Sequence, residues 1–187
     1  MGATLSNAAQ ALRRGGLVVY PTDTLLGLGA LASDREAVRK LIAAKGRSPS
    51  QPISVCVSST EEVERYALVS PRARRFLRRH LPGPFTVLLL PSPEAYRRFA
   101  PSVGGGSTIG FRVPDHRVAC ELARVAGPIT ATSANRHGAP PARTVAEARR
   151  ALGRAVSVYL PALPPGSGER STVVDLIGPE PREIVRS

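Results

Sequence analysis

Short apolar runs alternate along the chain with longer segments in which apolar residues recur at helical spacing. The first run, "LVVY", has the length and the β-branched content of a buried strand, and the polar stretch "PTDT" follows it. Strands are predicted on the same grounds at residues 17–20, 53–57, 85–90, 107–113, 128–133, 155–160, 171–176 and 182–186. Several neighbouring strands could pair antiparallel, so the predicted sheet is mixed.

The segments between the strands carry the signals that mark the first residues of helices. Two serines precede a glutamate by three positions, as in a capping box, and one serine–proline pair suits a first helical turn. These signals are Ser33 with Glu36, Ser59 with Glu62, and Ser70 with Pro71. Helices are predicted at 6–14 with Ser6 or Asn7 as cap, from Ser33 to about Lys45, after Ser59, at 72–81, at 116–126 with Asp115 as cap, and at 144–152. The alternation predicts an α/β sandwich of one domain, residues 1–187.

Four polar clusters follow the apolar segments, and polar groups at strand ends are where open α/β sheets bind ligands. The clusters are "YPTDTLLGLGA" (20–30), "KGRSPSQP" (45–52), "TSAN" (132–135) and "GERSTVVD" (168–175). Single clusters also have structural interpretations. The first could be a turn stabilised by its aspartate, the second a helix end at Gly46, and the third a helix cap.

Taken together, these clusters and the strand at 107–113 supply hydroxyls, amides and cations but no evident nucleophile. The set is Thr22, Thr24, Lys45, Arg47, Arg112, Ser133, Asn135, Ser171 and Thr172. It suits a phosphorylated ligand and an amino acid, with catalysis by positioning and charge neutralisation. The P-loop, G-x-S-x-G and H-E-x-x-H patterns of other enzyme classes do not occur.

The charge balance narrows the choice of partners. Lysine and arginine number 26 against 14 acidic residues, a net charge of +12, which favours nucleotides, tRNA or other polyanions. Aromatic residues are only 4%, so a row of rings that stack on bases is not expected. Two cysteines outside any C-x-x-C pair indicate a reducing cytoplasm and no cysteine metal site. No apolar run has the length of a membrane span.

Six segments resemble the YrdC family of single-domain threonylcarbamoyl-AMP synthases in order and spacing. They are "YPTDTLLGLGA", "KGR" followed by "QPISV", "LPGPFT" (81–86), "FRVPDH" (111–116), "TSANRHG" (132–138) and "STVVDL" (171–176). The similarity extends from about residue 8 to residue 186. It implies a YrdC-like fold, an open twisted mixed β-sheet with flanking helices and a basic concave face.

The resemblance also implies a reaction, that of a nucleotidyltransferase, L-threonylcarbamoyladenylate synthase. L-threonine and bicarbonate would give N-carboxythreonine, which attacks the α-phosphate of ATP and releases pyrophosphate. Mg²⁺ would accompany ATP, with no metal site formed by the protein. Other proteins would transfer the threonylcarbamoyl group to tRNA in the cytoplasm, and tRNA could contact the basic face.

Site residues follow from the resemblance position by position. Catalysis is assigned to Lys45 and Arg47, which face the phosphates of the nucleotide. ATP binding is assigned to Lys45, Arg47, Gln51, Thr108, Ser133, Asn135 and Arg186, and threonine binding to Thr24, Arg112 and Ser171. An arginine suits the carboxylate of threonine because its planar guanidinium can donate two parallel hydrogen bonds.

Three features depart from the family pattern. Leu26 stands where a tyrosine is common, and Cys56 stands where many members have a histidine near threonine. The sequence ends at Ser187, directly after Arg186, as expected of the short form of the family.

Two other functions remain open on the sequence. The first is a carbamoyl-adenylate-handling domain of the same fold, although such domains usually belong to much longer chains. The second is an RNA-binding module for tRNA or ribosome maturation, supported by "RARRFLRRH" (72–80), in which Arg72, Arg75 and Arg79 share one helical face. A solvated helix face explains that run equally well.

Overall fold

The computed structural model of the chain describes residues 4–101, 103–104 and 106–184. Its helices are α1 (Leu5–Arg13), α2 (Arg35–Lys45), α3 (Thr60–Tyr66), α4 (Pro71–His80), α5 (Pro93–Arg98), α6 (Arg117–Ala126) and α7 (Val145–Leu152). Its strands are β1 (Val18–Tyr20), β2 (Gly27–Gly29), β3 (Ser54–Cys56), β4 (Ala67–Leu68), β5 (Phe85–Pro91), β6 (Ile109–Arg112), β7 (Ile129–Ser133), β8 (Val158–Tyr159), β9 (Thr172–Asp175) and β10 (Arg182–Ile184). Arg186, a predicted nucleotide contact, lies outside the described residues.

The strands form one sheet in the order β10-β9-β5-β6-β3-β7-β2-β1-β8, with β4 paired to the end of β5. The pairs β1–β8, β3–β6 and β5–β9 are parallel, and the other pairs are antiparallel. The predicted mixed sheet with flanking helices is therefore confirmed.

Both faces of the sheet are covered. Because alternate residues of a strand point to opposite sides, one strand can contribute side chains to the core on each face. Val18 and Tyr20 pack in a core with α1 and α6, whereas Val19 belongs to the larger core under α2, α3, α4, α5 and α7. The first apolar run therefore contributes to two cores. Because a core covers each face of the sheet at this strand, every residue of β1 is buried.

Some helix starts agree with the sequence. The hydroxyl of Ser70 accepts a hydrogen bond from the backbone of Ala73, with Pro71 in the first turn of α4. The hydroxyl of Ser59 accepts one from the backbone of Glu62 at the start of α3. The Glu62 carboxylate, however, bonds the backbone and hydroxyl of Ser58 at 2.7 and 2.8 Å, so this capping box is shifted by one residue.

Three predicted caps are wrong by one to three residues. Thr4, not Ser6 or Asn7, caps α1, because its hydroxyl reaches the backbone N–H of Asn7. Asp34, not Ser33, caps α2. Its carboxylate accepts hydrogen bonds from two backbone N–H groups, and its negative charge interacts favourably with the positive end of the helix dipole. The imidazole of His116, not Asp115, accepts from the backbone N–H of Val118 at the start of α6.

The sequence prediction missed β2, β4 and α5. The glycines of β2 do not by themselves indicate a strand, and their role depends on Tyr20. The ring of Tyr20 crosses β2 at Gly27, its antiparallel partner. A Cβ atom at Gly27 would lie 2.6 Å from the Cζ atom of Tyr20, closer than such atoms approach in proteins. "GLG" is therefore a strand whose glycines accommodate a neighbouring ring, and "PTDTLL" is the loop of the β1–β2 hairpin.

Candidate functional site

One cavity of about 700 Å³ lies against the face of the sheet that α1 and α6 cover elsewhere. It is lined by Tyr20, Thr22, Thr24, Leu25, Leu26, Gly27, Lys45, Arg47, Gln51, Pro52, Ser54, Thr86, Arg112, Ala131, Thr132, Ser133, Asn135, His137, Gly138, Ala139, Arg170 and Ser171. Several adjacent strands contribute to the wall, so the cavity runs across the sheet. The rule that ligands bind at strand ends applies less well here because the strands of a mixed sheet point in both directions.

Lys45 links two of the predicted clusters. It is the last residue of α2, and the left-handed backbone of Gly46, with φ of +64°, ends the helix there. The Lys45 ammonium donates to the backbone oxygens of Ser133 at 2.5 Å and Asn135 at 2.7 Å. Burial, assisted by the charge of Arg47, lowers the pKa of Lys45 to about 8.

The loop after β7 is held by its own polar groups. The Ser133 hydroxyl donates to Oδ1 of Asn135 at 2.5 Å. The Asn135 amide donates to the backbone oxygens of Arg136 at 3.0 Å and Ala139 at 2.6 Å. Because these bonds fix the loop, the two carbonyls that bind the Lys45 ammonium are held in place.

Arg47 and Gln51 lie on the adjacent loop. Arg47 donates to the backbone oxygen of Pro52 at 2.9 Å, and burial lowers its pKa. Nε of Arg47 and Oε1 of Gln51 are buried without a hydrogen-bond partner in the described part of the chain. The Gln51 amide nitrogen lies 3.4 Å from Nε2 of His137. The backbone N–H of His137 donates a hydrogen bond to the backbone carbonyl of Lys45 at 2.8 Å. This end of the cavity therefore offers cations and unused polar atoms.

The other end of the cavity is organised by Arg112 of β6. Its Nη2 atom lies 2.6 Å from Oδ1 of Asp23 and donates to the hydroxyl of Thr24. The hydroxyls of Ser171 and Thr86 lie 2.8 Å apart on the same wall. A buried guanidinium beside several hydroxyls suits a small ligand that carries a carboxylate and polar groups.

A strap, defined here as residues 161–170, leads from β8 at one edge of the sheet back across the cavity to β9. The backbone N–H groups of Ser167 and Gly168 donate to the carbonyls of Asp23 and Thr24, each at 2.9 Å. The imidazole of His116 lies 3.2 Å from the carbonyl oxygen of Pro164. The strap therefore fixes the "PTDT" loop and brings Ser171 into the cavity wall.

Most of the predicted site residues are brought together. Thr24, Lys45, Arg47, Gln51, Arg112, Ser133, Asn135 and Ser171 all line the one cavity. Thr108, which directly precedes β6, is not among the lining residues. Its role in nucleotide binding stays a prediction, as do the roles of the others.

The predicted set omitted Ser54, Thr86, His137 and Arg170, which also line the cavity. Thr86 lies in "LPGPFT" and His137 in "TSANRHG", so the motifs contained them without indicating a role. Ser54 lies in "QPISV", but only the structure shows that it faces the cavity. Arg170 follows Glu169 in an irregular loop, where no periodic pattern marks the inward side chain.

The two departures from the family pattern have different places in the structure. Leu26 lines the cavity and is also part of the larger core, with 5% of its surface exposed. Cys56 lies next to Arg112 in the β3–β6 pairing but is completely buried in the core with Tyr20, and it is not among the lining residues. Burial raises the pKa of the Cys56 thiol, so this group stays protonated.

The fold and the cavity define an α/β protein with a two-ended polar site, one end cationic and the other built around a buried arginine–aspartate pair. A family model for Sua5, YciO and YrdC, described as "Telomere recombination", matches residues 10–187. The chain belongs to this family, and the predicted family membership is confirmed.

Relatives and solved structures agree with this assignment. A relative from Mycobacterium tuberculosis is 40% identical over 179 residues, 95% of this chain and 81% of the relative. A relative from Thiobacillus denitrificans, named threonylcarbamoyl-AMP synthase, is 37% identical over 169 residues, 88% of this chain and 87% of the relative. The crystal structure of Pyrococcus abyssi Sua5 complexed with L-threonine matches with a TM-score of 0.87 at 31% identity, covering 96% of this chain. The match covers 52% of the Sua5 chain, so this chain spans about half its length.

Proposed function

We propose that this protein is a threonylcarbamoyl-AMP synthase that makes threonylcarbamoyl-AMP and pyrophosphate from L-threonine, bicarbonate and ATP. The observation that carries the proposal is the joining of two kinds of subsite in one cavity. Lys45 and Arg47 lie at the cationic end, and Arg112 with Thr24 and Ser171 lies at the other. The names of the relatives and the threonine complex of Pyrococcus abyssi Sua5 support the same assignment.

At the cationic end, Lys45 and Arg47 would bind the phosphates of ATP. Attack at the α-phosphate builds negative charge on its oxygens and on the departing pyrophosphate, so fixed cations lower the barrier. The two carbonyls that hold the Lys45 ammonium keep it oriented before ATP arrives. Gln51, Ser133 and Asn135 would complete the nucleotide subsite.

At the other end, Arg112 would bind the α-carboxylate of threonine, and the hydroxyls of Thr24 and Ser171 would bind its remaining polar groups. The threonine amine forms a C–N bond with the carbon of bicarbonate as a C–O bond breaks and water leaves, which gives N-carboxythreonine. The new carboxylate then attacks the α-phosphate and expels pyrophosphate, with no covalent intermediate on the protein. The residues contribute by holding the two reactants in line.

Mg²⁺ would enter as the complex with ATP, where it shields the phosphate charges. Among the residues that the structure describes, no aspartate or glutamate lines the cavity. Within the described ranges, no cluster of three or more histidine, cysteine, aspartate or glutamate side chains is suited to hold a metal. Mg²⁺ commonly binds through substrate phosphates and water, so the residues present fit a metal that arrives with its nucleotide.

The partners downstream are part of the same proposal. Separate proteins would transfer the threonylcarbamoyl group to tRNA, and a cytoplasmic location suits both that reaction and the two unpaired cysteines. In the described part of the chain, no helix is long and apolar enough to cross a membrane. Direct tRNA contact is supported by the exposed arginines of α4, although Arg72 is already paired with Glu180.

The test is an omission experiment with the purified protein. ATP, MgCl₂, bicarbonate and L-threonine are combined, and pyrophosphate is measured together with the mass of the adenylate product. We expect product only when all substrates are present. Pyrophosphate release at an equal rate without threonine, or no release with all substrates, would contradict the proposal.

A further inference from the structure

Asp23 forms a buried ion pair beneath the cavity without being part of its lining. The side chains of Arg112 and Asp23 are 10% and 12% exposed, and Nη2 lies 2.6 Å from Oδ1. The sequence suggested only that Asp23 could stabilise a turn, and the proposed substrate contacts do not include it. Its partner, Arg112, is the residue proposed to bind the threonine carboxylate.

The pair is costly for a group that only stabilises the fold. Oδ2 of Asp23 and Nε of Arg112 are both buried without a hydrogen-bond partner among the residues that the structure describes. Removing two charges from water costs several kcal/mol each, and only excellent geometry with further hydrogen bonds repays that cost. We therefore explain this ion pair by the orientation that it imposes on Arg112 rather than by a contribution to fold stability.

The acceptors around Arg112 are concentrated on one nitrogen. Besides Asp23, Nη2 contacts the hydroxyl of Thr24 and lies 3.4 Å from the hydroxyl of Thr22. These contacts restrict rotation of the guanidinium, and they hold Nη2 on the side of the "PTDT" loop. Arg112 also lines the cavity, so a ligand there could reach another part of its guanidinium.

The backbone of the loop that carries Asp23 is itself held by the strap. The strap donates backbone N–H groups to the carbonyls of Asp23 and Thr24. The Thr22 hydroxyl donates to the Leu25 carbonyl at 2.6 Å and accepts from the Thr24 backbone N–H at 3.2 Å. The loop that carries Asp23 is thus fixed on both sides, which suits a group that orients its neighbour.

We propose that Asp23 is a positioning residue that holds Arg112 ready for a free α-carboxylate and so makes the site selective for amino acids over their esters, amides and alcohols. This inference rests on the proposed function. A buried arginine without its anion would turn toward water or other acceptors and lose the orientation that a carboxylate needs. The loss of orientation is expected to outweigh the relief of repulsion between Asp23 and the bound carboxylate.

The test compares L-threonine with L-threoninol, in which a hydroxymethyl group replaces the carboxylate. Binding to the full-length protein is measured by calorimetry for the wild type and for Asp23→Asn, which keeps the shape but removes the charge. We expect the preference for threonine over threoninol to fall about tenfold or more in the variant. Threoninol affinity and the KM for ATP should stay within about twofold, because only the carboxylate contact is altered.

A matched control is Asp115→Asn, which makes the same charge change at an exposed position near the start of α6. It should leave the selectivity unchanged. Equal losses for threonine and threoninol in Asp23→Asn would mean that Asp23 merely maintains the fold. Unchanged selectivity, or tighter threonine binding, would also overturn the proposal.

A second variant covers the case in which Asp23→Asn does not fold. Asp23→Glu retains the charge but shifts it by one methylene, so it should retain part of the selectivity, with a threonine preference below that of the wild type. Wild-type selectivity in this variant would contradict a positioning role. Failure of the wild type to release pyrophosphate would refute the proposed function separately, because the binding ratios do not depend on turnover.

Discussion

At the scale of single residues, Lys45 couples the cationic end of the cavity to pH. Its pKa is lowered to about 8, mainly because burial disfavours the charged ammonium. The charged form therefore predominates below about pH 8 and is lost as the pH rises through that value. Bound phosphates would raise this pKa again by favouring the ammonium.

We expect kcat/KM for ATP to fall as the pH rises above about 8, since kcat/KM reports the free enzyme. The measurement is a profile from acidic to alkaline pH at saturating threonine. Lys45→Arg is the control, because an arginine keeps its charge throughout this range. A decline of equal size in a folded Lys45→Arg protein would assign the pH dependence to another group.

Single residues of the site differ in how far the sequence could reveal them. Lys45, Ser133 and Asn135 were found because each lies in a short motif that resembles the family pattern in order and spacing. Asp23 was quoted in a motif, yet its importance depends on Arg112, which lies 89 positions away in the sequence. A contact between two such distant residues has no local pattern, so only the fold could show it.

At the scale of elements, the strap makes a structural demand that can be tested. A Cβ atom at Gly166 would lie 2.3 Å from the carbonyl oxygen of Thr24 and 2.6 Å from that of Thr22. Both are backbone atoms of the "PTDT" loop and have little freedom to move. An added methyl group must therefore push the strap away from the loop.

We expect Gly166→Ala to raise the KM for threonine about tenfold, because a small displacement of Ser171 weakens substrate positioning. The KM for ATP should change less, since the side-chain hydrogen bonds of Lys45 and Arg47 in the described part of the chain go to residues outside the strap. Gly178→Ala is the control, as its nearest recorded neighbour would be 3.9 Å away. The KM for threonine is measured for both variants by steady-state kinetics. Equal values in the two variants would contradict a role of the strap in positioning Ser171.

Among the elements, those with local signals were predictable and those defined by distant neighbours were not. α4 begins where Ser70 and Pro71 indicate, because a cap and a first-turn proline are properties of adjacent residues. β2 was missed because glycines weaken a strand when considered alone. The glycines are needed because the ring of Tyr20 on the neighbouring strand leaves no room for a Cβ atom at Gly27. That information lies outside the segment.

At the scale of the whole molecule, the net charge of +12 predicts attraction to polyanions beyond the proposed ATP site. The exposed arginines of α4 are the most concentrated part of that charge, although Arg72 and Arg74 are paired with Glu180 and Glu64. Arg75 is exposed on the same helix. It is therefore a suitable position for testing contact with tRNA.

We expect tRNA binding to weaken steeply with added salt, and Arg75→Glu to reduce the slope of log affinity against log salt by about 1. Pyrophosphate release should be unaffected, because α4 does not line the cavity. Arg124→Glu on α6, where Arg124 is paired with Glu121, serves as a charge-matched control. Salt-independent binding, or equal effects of both variants, would argue against a tRNA surface on α4.

The proposed function requires that one cavity bring threonine and ATP together, with Lys45 and Arg47 at one end and Arg112 at the other. The most direct measurement is threonine-dependent pyrophosphate release from ATP by the wild type and by the folded Lys45→Ala/Arg47→Ala double variant. We predict release by the wild type only with threonine present, and a loss of about 100-fold or more in the double variant. Full activity in that variant would contradict the assignment of these two cations to the phosphates.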